Sequence, residues 1–134
     1  MSIREDVPET RHLNVLVAED SPLHRRHTVW LLEAAGHRVI VVNNGREVLE
    51  VLPQNRFDVV LMDVEMPEID GLTATRMIRE QEDNGRPRLP IIAVTSTESQ
   101  EACFSAGMDA FLPKPLEPES LKSTLENLLA RTAA

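Results

Sequence analysis

Asp58-Val59-Val60-Leu61-Met62-Asp63 sets four large apolar residues in a row between two carboxylates. A strand that is apolar on both faces belongs in the middle of a parallel sheet, covered above and below. Pro67 and Asp70-Gly71 then break the chain, and a helix carrying Ala74, Met77 and Ile78 on one face follows. Strand, turn, helix is one repeat of an α/β unit.

The same unit recurs on either side. Upstream, Leu13 to Ala18 is a strand ending at Glu19-Asp20. Ser21 is placed as the N-cap and Pro22 as the first residue of a helix ended by Gly36. Leu23, His27, Trp30, Leu31 and Ala34 form its expected inner face, with Trp30 in the core. Arg38 to Val42 is the second strand, and Asn43-Asn44-Gly45 leads to a short helix with Val48, Leu49 and Leu52, closed by Pro53. Downstream come a strand from Pro90 to Thr95, a helix from about Glu98 to Ala106 stopped by Gly107, and a short strand Ala110-Phe111-Leu112. Leu121, Leu125, Leu128 and Leu129 mark the last helix. Residues 83–87 read as a plain surface loop. Five alternations make a (βα)5 domain with a parallel sheet.

Composition narrows the function. A chain of 134 residues with 42% hydrophobic and 27% charged residues is one soluble domain. A formal net charge of −8 argues against a nucleic-acid surface, which needs clustered Lys and Arg, and favours cations. No apolar run approaches the roughly 20 residues that span a bilayer. The single cysteine, Cys103, has no metal or redox context and reads as a small buried hydrophobe in a reducing, cytoplasmic setting. Residues 1–11 and 132–134 are expected to be flexible ends around a domain of 12–131.

The polar residues carry the functional signal. Glu19 and Asp20 end the first strand, Asp63 the third and Thr95 the fourth, while Lys114 follows the fifth. Right-handed crossovers put every carboxyl end along one sheet edge, where ligands of open α/β sheets bind. Three acids in one notch repel: at an effective dielectric near 20 each close pair costs about 4 kcal/mol. A divalent cation removes that cost, and so few acids suit Mg²⁺, which keeps waters and takes one or two carboxylates. His24, His27 and His37 lack ligand spacing and read as surface or packing residues.

This arrangement resembles the receiver domain of two-component response regulators, over about Leu13 to Arg131. The matching motifs occur in order: Glu19-Asp20, Met62-Asp63-Val64-Glu65-Met66-Pro67, Asp70-Gly71, Thr95 and Lys114-Pro115. The stretch from Gly107 to Pro115 is most similar to receivers of hybrid sensor histidine kinases. The resemblance implies a doubly wound, flavodoxin-like fold, its sheet ordered 2-1-3-4-5 with helices on both faces. It implies Asp63 as phosphoacceptor for a phosphoryl group from a histidine kinase or histidine phosphotransfer domain. Mg²⁺ (or Mn²⁺) would be held by Glu19, Asp20, Asp63 and the backbone carbonyl of Glu65. Lys114 would meet the phosphoryl oxygens, with Lys114-Pro115 cis, and Thr95 and Phe111 would form the switch.

Phe at 111 lacks the hydroxyl of the commoner Tyr, so its switching must rest on packing. Glu65 and Thr97 would tune acyl-phosphate lifetime. The fourth helix, fifth strand and fifth helix would form the output face, open to dimerisation. Such a chain is a signalling phosphoacceptor rather than an enzyme. Two alternatives stay open: a pseudo-receiver that binds without phosphorylation, and a haloacid-dehalogenase-like phosphatase, whose Asp-x-Asp motif follows the first strand instead of the third. Nothing resembling an output domain follows Arg131, which leaves a single-domain regulator or a piece of a hybrid kinase.

Overall fold

The computed structural model describes residues 12–83, 85–96 and 100–133. Strands β1 (Asn14–Ala18), β2 (Arg38–Val42), β3 (Val59–Asp63), β4 (Ile91–Thr95) and β5 (Ala110–Pro113) form one parallel sheet in the order 2-1-3-4-5. Between and after them run α1 (Pro22–Ala34), α2 (Gly45–Val51), α3 (Gly71–Glu82), α4 (Gln100–Ala106) and α5 (Pro118–Ala133). Pro53 lies inside a 3₁₀ turn, Leu52–Gln54, that prolongs α2 and does not close it. Glu98 and Thr97 fall outside the described residues.

Period-two alternation divides the strands between two cores. Val15, Val17, Val59, Leu61, Ile92 and Val94 face α1 and α5, meeting Leu31, Leu32, Leu121, Leu125 and Leu128. Leu16, Ala18, Val60, Met62, Ile91 and Ala93 face the opposite side, meeting Val48, Ala74, Ile78 and Cys103 of α2, α3 and α4. Every residue of β3 and β4 is buried, as a doubly covered sheet centre requires.

Two apolar faces differ from the sequence expectation. Helix α1 buries Thr28, Leu31 and Leu32, while Trp30 is 66% and Leu23 75% exposed. Thr28, Leu31 and Leu32 share the i, i+3, i+4 ridge that seats on the sheet; Trp30 lies about 200° round the helix from Thr28 and points to solvent. On α3 the buried set is Gly71, Ala74, Thr75 and Ile78, and Met77 is partly exposed.

The amino-terminal ends of β4 and β5 are tied by a polar network centred on Arg79 of α3. Its Nη2 donates to Asp109 Oδ2 at 2.8 Å and its Nη1 to Glu82 Oε1 at 2.8 Å and to the Leu89 carbonyl at 2.9 Å. Nε donates to the Gly107 carbonyl at 2.9 Å. Asp109 also accepts from Ile91 N and from Arg88, and Glu82 accepts from Leu89 N. The segment joining α3 to β4 is therefore stapled, through Leu89, to the helix before it.

Candidate functional site

Asp63 is the last residue of β3, and the turn that follows is shaped by close backbone contacts. Gly71 N donates to the Val64 carbonyl at 2.9 Å, and a Cβ at Gly71 would lie 2.3 Å from the Asp63 carbonyl oxygen. Only glycine allows the first residue of α3 to press against the strand end. Across the turn, Gly45 N donates to the Ile69 carbonyl at 2.9 Å, and Arg46 bridges to Glu68 at 2.7 Å. Glu68 itself holds φ +67. The loop after Asp63 is thus clasped between the amino ends of α2 and α3.

The carboxyl ends of the strands converge as the topology requires. One carboxylate oxygen each from Glu19, Asp20 and Asp63 lies within 4.8 Å of the others. Glu19 and Asp63 are buried and Asp20 is exposed. Lys114 extends over the two buried acids, 2.9 Å from Glu19 Oε1 and 3.3 Å from Asp63 Oδ2. Glu19 Oε2 accepts from Ser21 N at 3.1 Å and Asp63 Oδ1 from Glu65 N at 3.3 Å. Thr95 is buried at the end of β4, one residue beyond Val94, the register partner of Asp63, and its carbonyl accepts from Lys114 N at 3.2 Å. The Lys114–Pro115 peptide bond is cis. Phe111 pairs with Ala93 and packs half-buried against the core on the α3 and α4 side.

Electrostatics mark the notch as overcharged. Burial, and then the neighbouring Glu19 carboxylate, push the Asp63 carboxyl up from 3.8 to about 7, against the pull of Lys114. Burial alone would lower Lys114, but the hydrogen bond to Glu19 and the charge of Asp63 hold it above its ordinary range. One ammonium does not balance three acids. The donors are all hard carboxylate oxygens, with Asp20 open to a shallow cleft it shares with Glu65 and Asp70. Such a set fits a small divalent cation that keeps part of its water.

One residue read from sequence as surface or packing belongs here. His24, in the first turn of α1, places Nδ1 3.4 Å from Lys114 Nζ. Its distance in sequence from Lys114 hides that contact, although its place four residues after Asp20 sets it at the mouth of the notch. His37 instead accepts from Leu13 N at 3.2 Å, and burial followed by His12 lowers its pKa.

Residues 15–126 match the family described as response regulator receiver domain. Among curated proteins, the hybrid signal transduction protein dokA of Dictyostelium discoideum is 38% identical over 113 residues, covering 84% of this chain and 7% of that protein. The chain spans 7–17% of the length of the first curated relatives it matches, most of them histidine kinases or hybrid signalling proteins. Among solved structures, the chemotaxis response regulator CheY4 of Vibrio cholerae is 31% identical at a TM-score of 0.77, covering 87% of this chain and 98% of that one. The receiver domain of sensor histidine kinase PA1611 from Pseudomonas aeruginosa PAO1 is 36% identical at a TM-score of 0.75, covering 92% and 100%. That structure holds a magnesium ion in its active-site cleft. Among the described residues no helix is long and apolar enough to cross a membrane.

Proposed function

The chain belongs to the response regulator receiver domain family of two-component systems, and from that premise we propose that Asp63 is its phosphoacceptor. The donor is the phosphohistidine of a histidine kinase or a histidine phosphotransfer domain. The receiver, 12–131, assists its own phosphorylation and dephosphorylation in the cytoplasm, with no direct nucleic-acid partner. The observation that carries this reading is the ion-paired notch itself: two buried acids, a third at the rim, and an ammonium spanning Glu19 and Asp63.

In the reaction an Asp63 carboxylate oxygen attacks phosphorus and the P–N bond to the donor imidazole breaks. The imidazole then takes up a proton and leaves. Glu19, Asp20, Asp63 and the Glu65 carbonyl would hold Mg²⁺ (or Mn²⁺). Bound there, the cation supplies charge neutralisation for the incoming phosphoryl oxygens. The Glu65 amide orients the Asp63 carboxylate by donating to Oδ1. Lys114 follows the transferred oxygens as a point charge. The Thr95 hydroxyl donates to one of them and draws in the chain after β4, and Phe111 repacks in response. Two added negative charges and three acceptors bias such a loop by a few kcal/mol. The altered face is that of α4, β5 and α5, the surface for a downstream partner or a second copy.

Acetyl phosphate with Mg²⁺, followed by intact mass, tests the reading. The expected result is gain of one phosphoryl group, lost with chelator or in Asp63→Ala, and a thermal shift by Mg²⁺ that shrinks in Asp20→Ala. A phosphorylated Asp63→Ala protein would overturn the assignment. A wild type that takes up no phosphoryl group would favour a pseudo-receiver.

A further inference from the structure

Lys114 carries three ammonium protons, and three side-chain atoms surround it: Glu19 Oε1 at 2.9 Å, Asp63 Oδ2 at 3.3 Å and His24 Nδ1 at 3.4 Å, the last an acceptor in the tautomer protonated on Nε2. Resting on the function proposed above, we propose that His24 is a positioning residue for Lys114, holding its ammonium over the notch while phosphorus is transferred.

The three acceptors differ in what the reaction does to them. Asp63 is the nucleophile, and its carboxylate becomes an acyl phosphate. Glu19 shares its charge with the acid cluster that takes the cation. His24 alone keeps the same chemistry before and after transfer. An imidazole also brings no negative charge, so it steadies the ammonium without adding a fourth to a cluster that already keeps Asp63 from ionising freely. The contact uses the imidazole with its proton on Nε2, leaving Nδ1 as acceptor.

Local structure fixes where His24 points. Ser21 caps α1, its Oγ accepting from His24 N at 3.5 Å, and Ser21 N donates to Glu19 Oε2 at 3.1 Å. Pro22 sets the first helical residue. Glu19, Ser21 and His24 form one strap from the end of β1 into α1, and both of its side-chain ends converge on Lys114. Because Lys114 follows β5 and is backbone-bonded to Thr95, the strap links the first strand to the last.

Isosteres test the claim. The Oδ1 of asparagine overlays the Nδ1 of histidine, whereas the acceptor of glutamine sits one bond further out and leucine has none. With saturating Mg²⁺ and acetyl phosphate, His24→Leu and His24→Gln are expected to be phosphorylated roughly tenfold more slowly, the loss of one charge-assisted hydrogen bond. His24→Asn should stay within about twofold of wild type. A packing role would instead be rescued better by Leu or Gln than by the smaller Asn.

A second arm needs no phosphorylation. Acylation of Lys114 by a small reagent in the chelated protein, read by peptide mass, should speed up several-fold in the Leu and Gln variants and not in Asn. Equal labelling across the series, or changed labelling with equal transfer rates, overturns the proposal. A wild type that takes up no phosphoryl group overturns the proposed function instead, and labelling then decides the His24 contact by itself.

Discussion

Arg79→Met is expected to destabilise the domain by about 3–5 kcal/mol, the cost of removing one partner from a buried ion pair. The Arg79 side chain is only 13% exposed, as is that of Asp109, and that of Glu82 is 10% exposed. Methionine keeps the apolar stem, so the change isolates the guanidinium. Its loss withdraws donors from two carboxylates and from the carbonyls of Gly107 and Leu89. The penalty stays below the sum of those bonds because Asp109 keeps Arg88 and Ile91 N, and Glu82 keeps Leu89 N. Against a total stability of about 5–15 kcal/mol the loss is large.

Urea unfolding measures it. With a slope near 2 kcal/mol per molar, the midpoint should fall by about 2 M at unchanged slope. Adding Asp109→Asn to Arg79→Met should recover part of the loss, because an amide tolerates burial better than an orphaned carboxylate. The network lies at the amino ends of β4 and β5, on the far edge from Asp63. Folded Arg79→Met should therefore accept phosphoryl groups at the wild-type rate. A destabilisation below about 1 kcal/mol would place the pair among those worth no more than surface bridges and refute the reasoning.

Two predictions concern the notch. In chelator, Asp63 keeps its proton in the folded state up to about pH 7 but loses it near 3.8 when unfolded. Its contribution to stability is therefore whole below the lower value and lost as pH rises through the higher one. The melting temperature of wild type should drop more than that of Asp63→Asn between pH 5 and pH 8, and Mg²⁺ should flatten the difference; parallel curves in chelator would contradict the raised carboxyl. Gly71→Ala drives a Cβ to within 2.3 Å of the Asp63 carbonyl and 3.0 Å of Met62 Cγ. It should cost about 1–3 kcal/mol and slow phosphorylation tenfold or more, since the nucleophile moves with its strand end. Wild-type uptake of phosphate by the alanine variant would show that the turn yields without disturbing Asp63.

The sheet was legible because β3 and β4 are apolar on both faces, a pattern that only a doubly covered strand tolerates. The notch was legible because each polar residue interrupts or follows such a run. Trp30 misled because Leu23, His27, Trp30 and Leu31 fall on one helical stripe, whereas α1 seats on the sheet through the neighbouring ridge of Thr28, Leu31 and Leu32. The His24–Lys114 contact was not legible for another reason: no periodicity links the first turn of a helix to a lysine that follows the last strand. The Arg79 network was hidden likewise, since its carboxylates come from α3 and from the approach to β5, and an arginine on a helix ordinarily faces water.

The residues that meet around Asp63 are spread across all five strands' worth of sequence, from Glu19 at the end of the first strand to Lys114 after the last. No fragment owns the site, because each short piece contributes only one or two side chains and the hydrogen-bonded register between strands supplies the rest. A chain still emerging from the ribosome, or one nicked by a protease and fallen apart, cannot hold Lys114 above Asp63. On the function proposed above, chemical competence doubles as a certificate of completed folding, because only an intact molecule brings Glu19, Asp63 and Lys114 together.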